Sequence, residues 1–309
     1  MRNRDMPGGY AHIYLANRMT DYGAKLPELL SKAFEKYLEF CELGSVSPDL
    51  PYLALGNPDQ QSWADTFHYE GTFDFVTRAA KILCDLEGLT QLRCLAWLMG
   101  YVSHLVMDGT IHPVVEKIVG NYADHKNEHR TCELNQDAYI FPDLGYGTVD
   151  RAEPIKTGPK LCADPDNPSQ LNPELLSFWA ATLQDTHPYQ YNQAKPNINL
   201  WFKNYIDIMD KVVEEGGQMY PFTRHVLVDI LAISTPDPLD VDDAYIYDLN
   251  TPIGIKSYHD LIDSSMDNVL ATWDALARAV IDSQFEALAL IPNYNLDTGR
   301  AYSDKYVWW

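Results

Sequence analysis

Residues 101–112 read YVSHLVMDGTIH, which sets His104, Asp108 and His112 four positions apart in succession. A step of four residues on an α-helix drifts by only about 40°, so all three side chains leave one stripe. Two imidazoles and a carboxylate stacked a turn apart are ligands of the kind zinc takes. The stripe interrupts an apolar stretch, residues 92–107. A carboxylate buried there without a partner would be costly, so the segment has to fold where a cation or a second set of polar groups meets it. A lone histidine beside an aspartate is more often an ordinary core or surface residue; the triple in this setting is not.

The rest of the chain supplies candidate partners. His12 falls in the first turn of a periodic run that follows Pro7-Gly8-Gly9. Residues 26–41 have the apolar spacing of an amphipathic helix, which Gly44 is expected to close. Residues 44–52 (GSVSPDLPY) read as a turn-rich loop that aims Asp49 between Pro48 and Pro51. A further loop is expected over 57–65, followed by His68 between Phe67 and Tyr69. Helices are expected over 73–86 and 90–107, with Pro113 ending or kinking the second and a short helix resuming over 114–122. His129, Glu133 and Asp137 form a second stripe at steps of four, with His125 one turn earlier and nearer the exposed helix start.

From 143 to 195 the composition turns to Pro, Asp, Asn, Gly and Tyr around one helical island at 175–183. Such excursions often form the rim or lid of a pocket. Helical patterns return over 198–215, 223–233 and 256–291, and the terminal Tyr306-Val-Trp-Trp309 is apolar enough to dock on the body. Asp237, Asp240, Asp242 and Asp243 do not have the spacing of a calcium loop and read as a solvated acidic turn. No internal repeat, alternating strand pattern or Gly-rich phosphate loop stands out. The expected fold is all-α.

Bulk properties narrow the partners. A chain of 309 residues with 46% hydrophobic content builds an ample globular core. The formal net charge of −21 disfavours nonspecific binding to nucleic acid or to an anionic bilayer, leaving at most transient contact with a membrane surface. Five cysteines with no CxxC pair read as scattered buried thiols suited to a reducing compartment, with Cys132 a bystander. The N-terminus lacks the apolar core of a signal peptide, and residues 92–107 are too short and too polar (Arg93, His104) for a membrane span. A cytoplasmic protein is expected, with secretion open if a leader has been removed.

The candidate ligands are therefore His12, Asp49, His68, His104, Asp108, His112, His129 and Glu133, all in the N-terminal half. At three or four protein ligands each they serve two or three zinc ions. The ions would outweigh the three carboxylates and make a positive pocket inside an acidic protein, favouring a phosphate ester.

These residues, in order, resemble the zinc-dependent phospholipase C family, which is distantly related to the S1/P1-type nucleases. The resemblance rests on residues 6–12 (MPGGYAH), 44–49 (GSVSPD), Phe67-His68, 100–104 (GYVSH) through His112-Pro113, and the run from His129 to Asp137. It covers about residues 6–140. It implies an all-α, multi-helix bundle like that of phospholipase C and P1 nuclease, formed by residues 1–309 as one domain with a metal-ligand core, the long irregular insertion and a helical part from 196 to 309. It implies hydrolysis of phosphodiesters, a lipid or other small-molecule substrate rather than nucleic acid, and up to three zinc ions. Asp49, His68, His104 and Asp108 would hold the first; His112, His129 and Glu133 the second; His12 a third, bridged by Asp108. Asp49 would also be the catalytic general base. Secreted members use a processed N-terminal tryptophan at the third ion; this chain begins with Met1, and Met6-Pro7-Gly8 is similar to the start of intracellular relatives. Two other functions suit the same ligands: an S1/P1-like single-strand nuclease, for which the 20 Tyr and 7 Trp could stack bases, and a non-hydrolytic metalloenzyme of biosynthesis, with iron as the alternative metal.

Overall fold

The computed structural model describes residues 9–122, 124–144, 158–214 and 241–309. Among these the chain is all-α, and the helices are arranged around one central element. Helix α6, Gly88–Val119, buries every residue from Cys94 to Val115. A helix segment buried on all sides must be surrounded by other elements, and one polar stripe on it then needs partners there. Before it come α1 (Gly9–Arg18), α2 (Glu28–Lys36), α3 (Leu38–Val46), a 3-10 segment Ser47–Leu53, α4 (Pro58–Tyr69) and α5 (Thr72–Leu83). After it come α7 (Lys126–Ile140), α8 (Pro173–Thr186), α9 (Pro188–Gln193), α10 (Ile198–Glu214), α11 (Tyr258–Asp282) and the short α12 (Glu286–Ala289). The core is rich in aromatic residues: Trp63, Trp97, Trp179, Trp201 and Trp273 are all fully buried. Among the described residues no helix is long and apolar enough to cross a membrane.

Several local expectations are corrected. The amphipathic run 26–41 is two helices, broken at Tyr37 (φ −135°, ψ 46°). Gly44 does not cap anything; it lies inside α3, and a Cβ there would come 2.0 Å from the carbonyl oxygen of Trp97 on α6. Gly100 is its counterpart, with a Cβ that would sit 1.9 Å from the carbonyl oxygen of Cys41. The glycines are required by the crossing and not by a turn.

The loop expected over 44–52 finishes α3 and then becomes the 3-10 segment, whose two prolines lack the N–H that a regular α-helix would need. The loop expected over 57–65 is helical: Asn57 caps α4 by accepting from the Gln60 N–H, and Pro58 occupies the first turn, where its missing N–H costs nothing. Pro113 does not end α6, which continues for another turn and a half without a separate helix over 114–122. The long C-terminal pattern ends at Asp282, where Ser283 takes a left-handed conformation (φ 56°).

Among the described residues three antiparallel two-stranded hairpins also form, and no period-two pattern announced them: β1 (Ala163–Asp164) with β2 (Asn167–Leu171), β3 (Leu249–Thr251) with β4 (Gly254–Lys256), and β5 (Tyr294–Asn295) with β6 (Arg300–Ala301). They are too short to carry a pattern. The described part of the 143–195 excursion is thus largely ordered, as β1–β2, α8 and α9. Residues 1–8 and 145–157, the helix expected over 223–233, and Asp237 and Asp240 lie outside the described residues. Asp242 caps a short 3-10 turn by accepting from the Ala244 N–H, an ordinary role for an exposed aspartate.

Candidate metal centre

Four elements converge on one face of α6. That helix contributes His104, Asp108 and His112 from a single stripe. Helix α1 brings His12, the 3-10 segment Asp49, the last turn of α4 His68, and α7 His129 and Glu133. All eight side chains are buried, His104 completely and none more than 8% exposed. The 3-10 segment is held on α6 by Trp97, whose indole N–H donates to Ser47 Oγ at 2.8 Å, two residues before Asp49.

The ligand-type atoms fall into three groups, each within 4.8 Å: His12, Asp49 and His104; His68, His104 and Asp108; and His112, His129 and Glu133. The first two share His104, whose ring stacks on that of His12 with centroids 4.1 Å apart. Asp108 sits between the groups, with oxygens 3.2 Å from His12 Nε2, 3.1 Å from His104 Nε2 and 3.6 Å from His112 Nε2. Asp49 Oδ1 is 3.2 Å from His68 Nε2, and Glu133 Oε1 is 3.2 Å from His112 Nε2 and 3.0 Å from His129 Nε2.

Short distances here do not mean satisfied hydrogen bonds. His68 Nε2, His104 Nε2, Asp49 Oδ1 and Asp108 Oδ2 are buried and have no aligned hydrogen-bond partner. Their opposite ring nitrogens are satisfied: His68 Nδ1 lies 2.8 Å from the Ala64 carbonyl oxygen, His104 Nδ1 2.8 Å from that of Ser45, and His112 Nδ1 3.0 Å from that of Leu296. A carbonyl can only accept, so each neutral ring carries its proton on Nδ1 and turns the Nε2 lone pair inward. Buried lone pairs facing buried carboxylate oxygens suit a divalent cation bound by nitrogen and oxygen, and the residues present fit zinc.

The electrostatics agree. Burial alone would lower His68 and His112, but Asp49 and Asp108 push the first up to about 9, and Asp108 with Glu133 pushes the second up to about 10. His104 goes the other way, because its burial outweighs the attraction of Asp108 and His12 adds repulsion. Burial opposes ionisation of Asp108, yet His104, His112 and His12 hold it well below the usual carboxylate range. Glu133, also buried, is drawn down to about 2 by His129 and His112. The pocket thus holds negative charge firmly and attracts cations.

Other residues singled out in the sequence do other work. Asp137, the third member of the α7 stripe, is outside the three groups; its Oδ1 accepts the Ala11 N–H at 2.9 Å and so ties down the start of α1, one residue before His12. Burial pushes its carboxyl well above the usual range. His125 is exposed at the start of α7. Cys132 is buried and belongs to none of the groups, and Cys41, Cys94 and Cys162 are buried free thiols; Cys84 is exposed, contrary to expectation. A small cavity borders members of all three groups, lined by His12, Asp108, His112 and Glu133 together with Gln136 and Tyr258. Neither of the last two residues, nor the three carbonyls behind the imidazoles, was legible in the sequence. A carbonyl acceptor is common to every residue type and leaves no signature.

An all-α fold that carries, among the described residues, three buried histidine–carboxylate groups able to hold metal defines the class. The chain belongs to the zinc-dependent phospholipase C family: that family's profile matches residues 11–189, more than half of its 309 residues. The match takes in every one of the eight candidate ligands. No curated protein and no solved structure matches the chain.

Proposed function

We propose that this protein hydrolyses phosphodiesters, with a lipid phosphodiester as its substrate class, at a centre of two or three zinc ions. The observation that carries the reading is the set of buried, unpaired Nε2 and carboxylate atoms around Asp108, inside the region matched by the family profile. Bound zinc would supply Lewis acidity toward the phosphoryl oxygens and toward the attacking water. His68 and His104, with Asp49 and Asp108, would hold one ion; His112, His129 and Glu133 another; His12 would hold a third together with Asp108. The Nδ1–carbonyl bonds fix the imidazole orientations before substrate arrives, which limits reorganisation during reaction.

Asp49 is the proposed general base. Its two oxygens face different histidines, Oδ1 toward His68 and Oδ2 toward His104, so one oxygen can remain a ligand while the other receives a proton from water. The four buried free thiols accord with a reducing, cytoplasmic setting. The acidic charge of −21 favours a small or zwitterionic substrate over a nucleic acid strand.

The test combines elemental analysis of the purified protein with hydrolysis of a chromogenic phosphodiester, of phosphatidylcholine and of single-stranded DNA. Two or three zinc ions per chain and chelator-sensitive cleavage of the phosphodiester and the lipid are expected. Fewer than two metals per chain, or activity indifferent to chelation, overturns the reading. Preference for DNA would make the protein a nuclease, and iron in place of zinc without hydrolysis would make it a non-hydrolytic metalloenzyme.

A further inference from the structure

Nothing in the chain beyond residue 189 falls within the family match, yet one main-chain group from the C-terminal end reaches two of the candidate ligands. Leu296 is completely buried. Its carbonyl oxygen lies 3.0 Å from His112 Nδ1, and its N–H donates to the carbonyl oxygen of His68 at 3.0 Å. The second bond has a clear local reason. His68 is in the last turn of α4, where carbonyls have no partner further along the helix. His68 and His112 belong to different ligand groups, so a single peptide segment joins the two.

The segment is seated on α6 by a matched set of small residues. Gly299 (φ 62°) lies over α6 so closely that a Cβ on it would come 2.4 Å from the Gly109 carbonyl oxygen and 2.6 Å from Pro113 Cγ. Gly109, between Asp108 and His112, has no room for a Cβ either, because Tyr294 and Trp308 fill that space at 2.6 and 2.7 Å. The Tyr294 hydroxyl donates to the Leu105 carbonyl at 2.7 Å, and the Trp309 indole N–H donates to the Thr110 carbonyl at 3.1 Å. Both acceptors flank Asp108 on α6. The Tyr69 hydroxyl, one residue after His68, donates to Asp297 at 2.8 Å.

We propose that residues 294–309 form a clamp on the metal centre, with Leu296 as a main-chain positioning residue for His68 and His112. The clamp fixes the His112 tautomer and holds the end of α4 at the distance from α6 that lets both groups form. This rests on the reading of the eight side chains as zinc ligands.

The test compares zinc affinity, by chelator competition, in wild type, Gly299→Ala and Trp309→Ala, with Tyr302→Ala at an exposed site as control, and measures the melting temperature of each metal-free protein. Gly299→Ala lifts the turn from Gly109; Trp309→Ala removes the bond from the indole to the Thr110 carbonyl on α6. Either variant, still folded without metal, should bind zinc about 10- to 100-fold more weakly than wild type. Unchanged zinc affinity with a lower melting temperature would mean that the segment is merely structural, and overturns the proposal. Should Gly299→Ala fail to fold, Trp309→Ala decides by the same two outcomes. Wild type that binds no zinc would instead sink the underlying reading.

Discussion

Gly44 and Gly100 lie against each other's helix where α3 crosses α6, each leaving no space for a β-carbon beneath the facing backbone. The contact brings Ser45 of α3 close enough for its carbonyl to accept a hydrogen bond from His104 Nδ1–H at 2.8 Å. A packing feature with no chemistry of its own therefore orients the histidine shared by two ligand groups. Gly100→Ala should force the helices apart, at a cost of about 3 kcal/mol or more as an overpacking substitution. It should also reduce metal content, because Ser45 retreats from His104. Denaturant unfolding and elemental analysis of the same sample check both parts; a variant of wild-type stability would refute the close crossing.

Asp108 has oxygens within 3.6 Å of His12, His104 and His112, members of all three groups, so Asp108→Asn should act on more than one ion. The amide keeps the shape and removes the charge that His12, His104 and His112 face. We expect loss of more than one metal per chain and at least about a hundredfold lower hydrolysis. His129→Ala, confined to one group, should remove only one metal. Equal losses from the two variants would contradict a bridging position for Asp108.

Metal removal should destabilise the fold. Asp49, Asp108 and Glu133 are buried together, and cations that bind only the folded chain stabilise it by mass action, by about 2.7 kcal/mol at a free concentration a hundred times the Kd. Scanning calorimetry should show a melting temperature that falls on chelation and rises with added zinc. A melting temperature independent of zinc would count against binding at this centre.

His187 predicts an acid-side loss of stability independent of metal. It packs against Trp63 with ring centroids 6.2 Å apart, and burial, only partly offset by Asp74, depresses its pKa to about 4. The unfolded chain takes up the proton near the ordinary 6.5, so between these values the unfolded state binds more protons. The contribution is complete above about pH 6.5 and is lost as the pH falls toward 4, amounting to about 1–3 kcal/mol. In chelator, His187→Phe should flatten the stability profile over that window; a profile as steep as that of wild type would rule the residue out.

The all-α class and the helical stripes of candidate ligands were legible because they depend on periodicities within single elements. The stripe of His104, Asp108 and His112 is fixed by a four-residue step, whatever surrounds it. The His129–Glu133 stripe follows the same rule. The errors fell where a distant contact overrode a local signal. Gly44 looked like a helix end and is a helix crossing; Pro113, expected to end or kink its helix, lies inside α6 and does not end it; Tyr37 separates two helices although it is neither glycine nor proline. The start of α4 was in fact visible in Asn57-Pro58, as a cap followed by a first-turn proline.

By itself, then, the sequence determined which side chains are available as ligands, on which faces of which helices they lie, and the excess of acidic charge around them. Only the tertiary structure decided that four separate elements gather on the polar face of α6, which nitrogen of each tethered imidazole faces inward, and that the Leu296 main chain bonds both the His112 ring and the His68 carbonyl. The first set is governed by helix geometry and residue chemistry over a few neighbouring positions. The second depends on backbone carbonyls and close helix contacts between residues as far apart as His112 and Leu296, and a carbonyl looks the same at every position in the chain.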